Sequence, residues 1–338
     1  MALRTTVVGS WWWPRDRSRE LREHHDGQLD PEAGAALLAE CAADAIAEQR
    51  EIGLDEWTGG EFFTDNFLGQ LAGRLTGLEV VSGKADEVFD YDDLAHARVV
   101  GPITAPHGMG YLEAYERERA LPGGVRKATV VSPLELTVHA SADRDALWAQ
   151  MPELMAIVNR ELRALADAGC PHVQLDAPIL GVEVNMGRMT ADQAAAMIAP
   201  CFEGVNATKG LHMCNGNLKG RPMSGVLRNA PWVDMLVALA GVVDVATLES
   251  SYFNQWLERD AFSRLPANMQ LAAGIVDEAN YWVEPVEKIR TRAQDWARVV
   301  GEERLWLAPS CGFGRHPSRD EPVLRAKLEN MVAAARSF

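Results

Sequence analysis

His212-Met213-Cys214 and Ser310-Cys311-Gly312-Phe313-Gly314 carry three side chains with the donor chemistry of a metal site. Side chains two apart on an extended strand project to one face, so His212 and Cys214 can reach the same ion. One imidazole with two thiolates suits zinc, a borderline-soft ion. Each string also follows a run with strand character, Gly210-Leu211 in the first case and Leu305-Trp306-Leu307-Ala308 in the second. Just past the carboxyl ends of strands is where a β/α enzyme keeps its chemistry. Ser10, Glu61, Asp176 and Glu249 fall at or just beyond other expected strand ends, so these polar residues can converge with the three donors on one face. Taken singly, each has a plainer explanation: a small buried thiol, a hydrogen-bonded imidazole, a helix-capping carboxylate. Cys41 and Cys201, inside helical periodicity, keep that plainer explanation, as does Cys170.

The elements that must position these residues alternate short β-type runs with longer stretches of helical period, the pattern of a parallel sheet wrapped by helices. Eight runs qualify as barrel strands: residues 5–9, 54–59, 127–131, 172–176, 210–214, 245–249, 270–276 and 305–309. Between them, residues 31–51 place Leu37, Leu38, Cys41, Ala45 and Ile46 on one face, and residues 152–168 do the same with Leu154, Met155, Val158, Leu162 and Leu165 before Gly169. A ninth run, 97–103, follows an acidic and polar stretch at 84–93 and is assigned with residues 74–121 to an excursion containing a hairpin and a helix. The expected fold is α/β, a TIM (β/α)8 barrel with that excursion after its second strand, as one domain over residues 1–338.

Composition narrows the setting. A formal net charge of -15 disfavours nucleic acid and anionic membranes as partners, since both are polyanions. Five irregularly spaced cysteines form no disulfide framework, no signal-peptide pattern follows Met1, and no apolar run has bilayer-spanning length, so a cytoplasmic protein is expected. Gly108-Met109-Gly110 is too short for a dinucleotide fingerprint.

The strings, in their order, resemble the zinc-dependent catalytic barrel of the cobalamin-independent methionine synthase family and its single-barrel relatives. Gly9-Ser10-Trp11 is similar to the family's opening Gly-Ser-aromatic motif, Gly60-Glu61 to its Gly-Glu, and Gln174-Leu175-Asp176 to its Gln-hydrophobic-Asp. His212-Met213-Cys214 matches His-x-Cys, Leu248-Glu249 the segment with the ligand glutamate, and Pro309-Ser310-Cys311-Gly312 the closing Pro-x-Cys-Gly. The resemblance covers nearly the whole chain. It implies Zn2+ held by His212, Cys214, Glu249 and Cys311, with Ser10 on the carboxylate and Glu61 and Asp176 on the ammonium of an amino-acid thiol such as homocysteine. Larger members carry a second, degenerate barrel ahead of the catalytic one, which 338 residues are not expected to hold.

The chemistry so implied is methyl transfer to sulfur. It is the thiolate that attacks carbon, and zinc coordination removes the thiol proton. Departures from the family pattern lie on the donor side. Asp176-Ala177-Pro178 replaces Asp-Glu-Pro, His139 stands where a folate-associated tryptophan is expected, and Ala279 falls at the catalytic histidine. Transfer from methyltetrahydrofolate needs a proton on the departing nitrogen. We therefore expect methyltetrahydrofolate to be a poor donor compared with methylcobalamin unless a substitute acid, for which His139, Asp277 and Glu278 are candidates, takes over; a methylcobalamin protein or an activated small molecule needs no such proton. The segment 277–284 resembles single-barrel relatives, including archaeal-type methionine synthases and the epoxyalkane-coenzyme M transferase branch. Two other functions fit the same residues: a zinc-dependent alkyltransferase using another thiol or an epoxide-like electrophile, and a non-catalytic small-molecule binder with structural zinc. Trp11, Trp12 and Trp13 either wall the pocket or pack against a helix; His107 and His316 are further pocket candidates, and His24 and His25 are expected in solvent.

Overall fold

A computed structural model describes residues 2–64, 74–81, 96–135, 144–216, 222, 225–314 and 321–338. Strand β1 is Arg4–Thr5, and β2 (Thr76–Val81) and β3 (His96–Thr104) form an antiparallel hairpin. The remaining strands are β4 (Ala128–Val131), β5 (His172–Asp176), β6 (Thr208–Met213), β7 (Val245–Glu249), β8 (Gln270–Val276) and β9 (Leu305–Pro309). Apart from the hairpin they make one parallel sheet in the order β1-β9-β8-β7-β6-β5-β4, with helices in the crossovers. The hairpin and the helix Tyr111–Ala120 make up the expected excursion; residues 84–93 lie outside the described residues.

Strands β5, β7 and β9 are buried along their whole length, as in a sheet covered on both faces. Val245, Ala272, Trp306 and Ala308 form a small apolar cluster of their own, while Ala246, Leu271, Leu305 and Leu307 of the same strands join the main core. One row thus faces the barrel interior and the alternate row faces the helices. The main supports form as their sequences dictate. In the helix Pro31–Ile52, Asp30 accepts hydrogen bonds from the amides of Glu32 and Ala33, and proline sits at the first helical position. The helix Met151–Asp167 buries Leu154, Val158, Leu162 and Leu165.

The expected second barrel strand, 54–59, is not a strand. Side chains take the hydrogen bonds that a ladder would use: Asp55 accepts from the Thr5 amide at 2.8 Å, and Gln49 accepts from the Thr58 amide at 3.1 Å. The segment still spans the gap between the sheet's two edges. Glu56 N donates to Thr5 O (3.2 Å), Arg126 N donates to Trp57 O (3.0 Å), and Trp11 N donates to Gly60 O (3.1 Å). Among the described residues, no helix is long and apolar enough to cross a membrane.

Candidate metal centre

His212 sits near the end of β6, Cys214 just past it, and Cys311 two residues past β9. Their ligand atoms all lie within 4.8 Å of one another. The two sulfurs are 3.6 Å apart, and both thiols are free. Nδ1 of His212 is 3.0 Å from Thr247 O, so this nitrogen carries the proton and Nε2 keeps a lone pair. That Nε2 is buried and has no hydrogen-bond partner. Burial holds the imidazole down at about 3, neutral across the physiological range. The neighbouring Cys311 sulfur and then burial push Cys214 well above an ordinary thiol, so a paired thiolate here needs a cation. An orphaned imidazole lone pair beside two thiols is a donor set that zinc fits.

Glu249 closes β7, but its carboxylate is not in the three-atom cluster. Its Oε2 accepts from Asn215 N (2.6 Å) and Asn215 Nδ2 (3.0 Å), and Asn185 Nδ2 steadies the Asn215 side chain through Oδ1 at 3.1 Å. Burial raises Glu249 to about 7. Glu278 lies beside the metal candidates, accepting from Cys311 N at 3.1 Å. The Asp277 carboxylate is engaged by its own loop, accepting from Ala279 N and Asn280 Nδ2. His139 and His316 lie outside the described residues, and His107 is exposed.

The expected substrate residues form a second group. Asp176 pairs in register with His212 and accepts from Gln174 Nε2 at 2.7 Å. Glu61 has a left-handed backbone, φ 62°, and its Oε1 accepts from Thr129 Oγ1 at 2.7 Å. Gly9 makes room for it, since a Cβ there would stand 2.1 Å from Glu61 Oε1. Burial and then the charge of Glu61 push Asp176 well above the usual carboxylate range. A bound ammonium relieves that repulsion. Ser10 touches the Cys311 loop directly: its Oγ accepts from Gly314 N and its carbonyl from Phe313 N, both at 3.1 Å.

The tryptophans pack. Trp11 and Trp12 are almost fully buried, stack at 4.0 Å, and meet Phe313 edge-on at 5.3 and 5.2 Å. His25 is exposed as expected, though it also stacks on Trp13 at 5.3 Å, while His24 is half-buried. Sequence reasoning missed Asn215, although it adjoins Cys214, and Glu135, which follows the end of β4 and lies against Ile179 N at 3.1 Å. It also missed Glu118 behind Glu61. Burial and then Glu61 raise this carboxyl to about 8, and both groups line a cavity of about 20 Å³, room for one water.

The chain is similar to several known proteins. The 5-methyltetrahydropteroyltriglutamate–homocysteine methyltransferase of Nitratidesulfovibrio vulgaris is 26% identical over 345 residues, covering 99% of this chain. The chain spans only about 41% of that relative's length. A methionine synthase of Sulfolobus acidocaldarius is 22% identical, with 98% of this chain and 90% of the relative aligned. Among solved structures, the cobalamin-independent methionine synthase of a Shewanella species superposes with a TM-score of 0.77 at 19% identity, over 99% of this chain and 97% of that one. The profile of the cobalamin-independent synthase catalytic domain matches residues 3–337, a span that takes in every strand bordering the site, and the chain belongs to that family.

Proposed function

We propose that this chain is a zinc-dependent methyltransferase that methylates the sulfur of homocysteine or a close amino-acid thiol, with residues 3–337 acting as one barrel. The observation that carries it is the clustering of His212, Cys214 and Cys311 on a barrel whose next strand end bears Asp176, a buried carboxylate repelled by Glu61. Zinc held by His212, Cys214 and Cys311, with Glu249 as the fourth candidate, supplies a thiol pKa low enough for a nucleophilic thiolate at neutral pH.

The chain's own side chains do the rest. Glu61 and Asp176 receive the substrate ammonium, whose charge keeps both ionised. Because Ser10 Oγ already accepts from Gly314 N, its single hydrogen is left to donate to the substrate carboxylate. Two-ended anchoring fixes the sulfur's approach and converts a chance encounter into a positioned one. On the donor side, Glu278 accepts from the Cys311 amide, and it is our candidate for delivering a proton to the leaving group where Ala279 has none to give. The reading also calls for a reducing compartment such as cytoplasm, since sulfurs 3.6 Å apart invite oxidation elsewhere.

The test is a methyl-transfer assay of zinc-loaded protein with homocysteine, run in parallel with methyltetrahydrofolate, its polyglutamate form and methylcobalamin. Methionine formed with a reduced pterin donor, and lost in Glu278→Gln, supports the assignment. No methionine with any donor overturns homocysteine as the acceptor.

A further inference from the structure

The donor-side loop is wrapped around one buried ammonium. Lys327, on the helix Glu321–Arg336, is fully buried, and its Nζ donates to Glu284 Oε2 at 2.9 Å, to Asn280 Oδ1 at 3.3 Å and to Trp282 O. An ammonium has three hydrogens, and all three find acceptors within five residues that follow β8. The same loop is tied at other points. Glu284 Oε1 accepts from Asp277 N at 3.0 Å, Asn280 Oδ1 from Trp282 N at 2.9 Å, and Glu284 O from Asn330 Nδ2 at 2.9 Å.

A buried Lys–Glu pair contributes little stability compared with apolar side chains of the same volume, because both ions lose their water. In some proteins such a pair is retained because it selects one conformation. Here the selected conformation has two consequences. Glu278 turns inward, 5% exposed, and takes the Cys311 amide at 3.1 Å. Tyr281 and Trp282 turn outward, 67% and 50% exposed, and the Trp282 face is flanked by Lys288 Nζ at 4.4 Å. Trp282 is exposed although both its amide and its carbonyl are hydrogen-bonded, the amide to Asn280 Oδ1 and the carbonyl to Lys327 Nζ.

We propose that Lys327 is a positioning residue for the donor: its ammonium fixes the 277–284 loop so that Glu278 stays on the Cys311 amide while Tyr281 and Trp282 stand as a shelf for a flat aromatic donor. The donor half of this proposal rests on the methyltransferase reading; the loop half does not. Lys327 touches no reacting atom, so its effect must be carried by the loop.

Lys327→Met alone strands the Glu284 carboxylate in the interior and can fail to fold, so the working variant is Lys327→Met with Glu284→Gln, which removes both charges of the pair. Two measurements are made on the zinc-loaded protein. Hydrogen exchange of the 277–284 amides should accelerate by about tenfold or more, with the barrel strands unchanged. The KM for methyltetrahydrofolate should rise by about tenfold, while the KM for homocysteine and the zinc content hold. Exchange at the wild-type rate in 277–284 overturns the loop assignment. Faster exchange with an unchanged donor KM, or with both KM values rising together, overturns the donor assignment. Wild-type protein inactive with every donor would instead indict the methyltransferase reading, and the exchange result would still decide the role of Lys327 in the loop.

Discussion

Gly312→Ala tests how tightly the Cys311 loop is pressed onto Ser10. A Cβ at position 312 would stand 2.3 Å from Ser10 Oγ and 3.5 Å from Ser10 Cβ. An ordinary carbon–oxygen contact needs about 3.5 Å, so the hydroxyl must retreat by roughly an ångström. That movement breaks its bond from Gly314 N, a loss of about 1 kcal/mol, and strain in a packed site adds about 1–2 kcal/mol. We expect Gly312→Ala to destabilise the protein by about 2–3 kcal/mol and to weaken metal binding through the displaced Cys311. Removing the hydroxyl should cancel most of this. In a Ser10→Ala background the nearest remaining contact is the ordinary one at 3.5 Å, while the restriction of the unfolded chain by alanine acts in both backgrounds and cancels from the cycle. The double-mutant cycle, read by urea unfolding of the metal-free protein and by chelator competition for zinc, should therefore show about 2 kcal/mol of coupling. If Gly312→Ala costs as much without the hydroxyl as with it, the Ser10 contact is not what shapes the loop.

Three further outcomes follow from the same geometry. Protein purified without chelator should hold about one zinc per chain, and Cys214→Ser or Cys311→Ser should lose most of it by elemental analysis; full retention by both rejects the ligand set. Because the adjacent sulfur and burial hold Cys214 protonated, zinc affinity should rise with pH and uptake should release protons into weak buffer. Glu118 has a folded pKa raised from 4.5 to about 8, so the folded state binds the extra proton between those values and stability falls as pH rises through that window. Glu118→Gln should flatten this dependence and raise stability at pH 7 by up to about 3 kcal/mol; an unchanged pH profile in urea unfolding would show that Glu118 is not buried as a proton-holding acid.

Much of the site was written locally. His212 and Cys214 share a face because strand side chains alternate, and the eight-run rhythm, seven runs of which form strands, set the strand ends on one side of an α/β barrel. Those features depend only on neighbours in sequence, so period and residue type suffice to find them. The rest was decided by contacts between distant segments, which no local period encodes. Residues 54–60 bridge β1 to β4 without becoming a strand because Asp55 and Gln49 side chains replace ladder partners, and alternation alone cannot foresee that exchange. Glu249 stands at a strand end as its neighbours dictate, yet its carboxylate bonds to Asn215 across the β6–β7 boundary rather than joining the three-donor cluster. Lys327 reads in sequence as one more helix lysine. Only the packing of the last helix against the loop after β8 buries its charge among three acceptors, because a desolvated ammonium must find its partners wherever tertiary structure brings them.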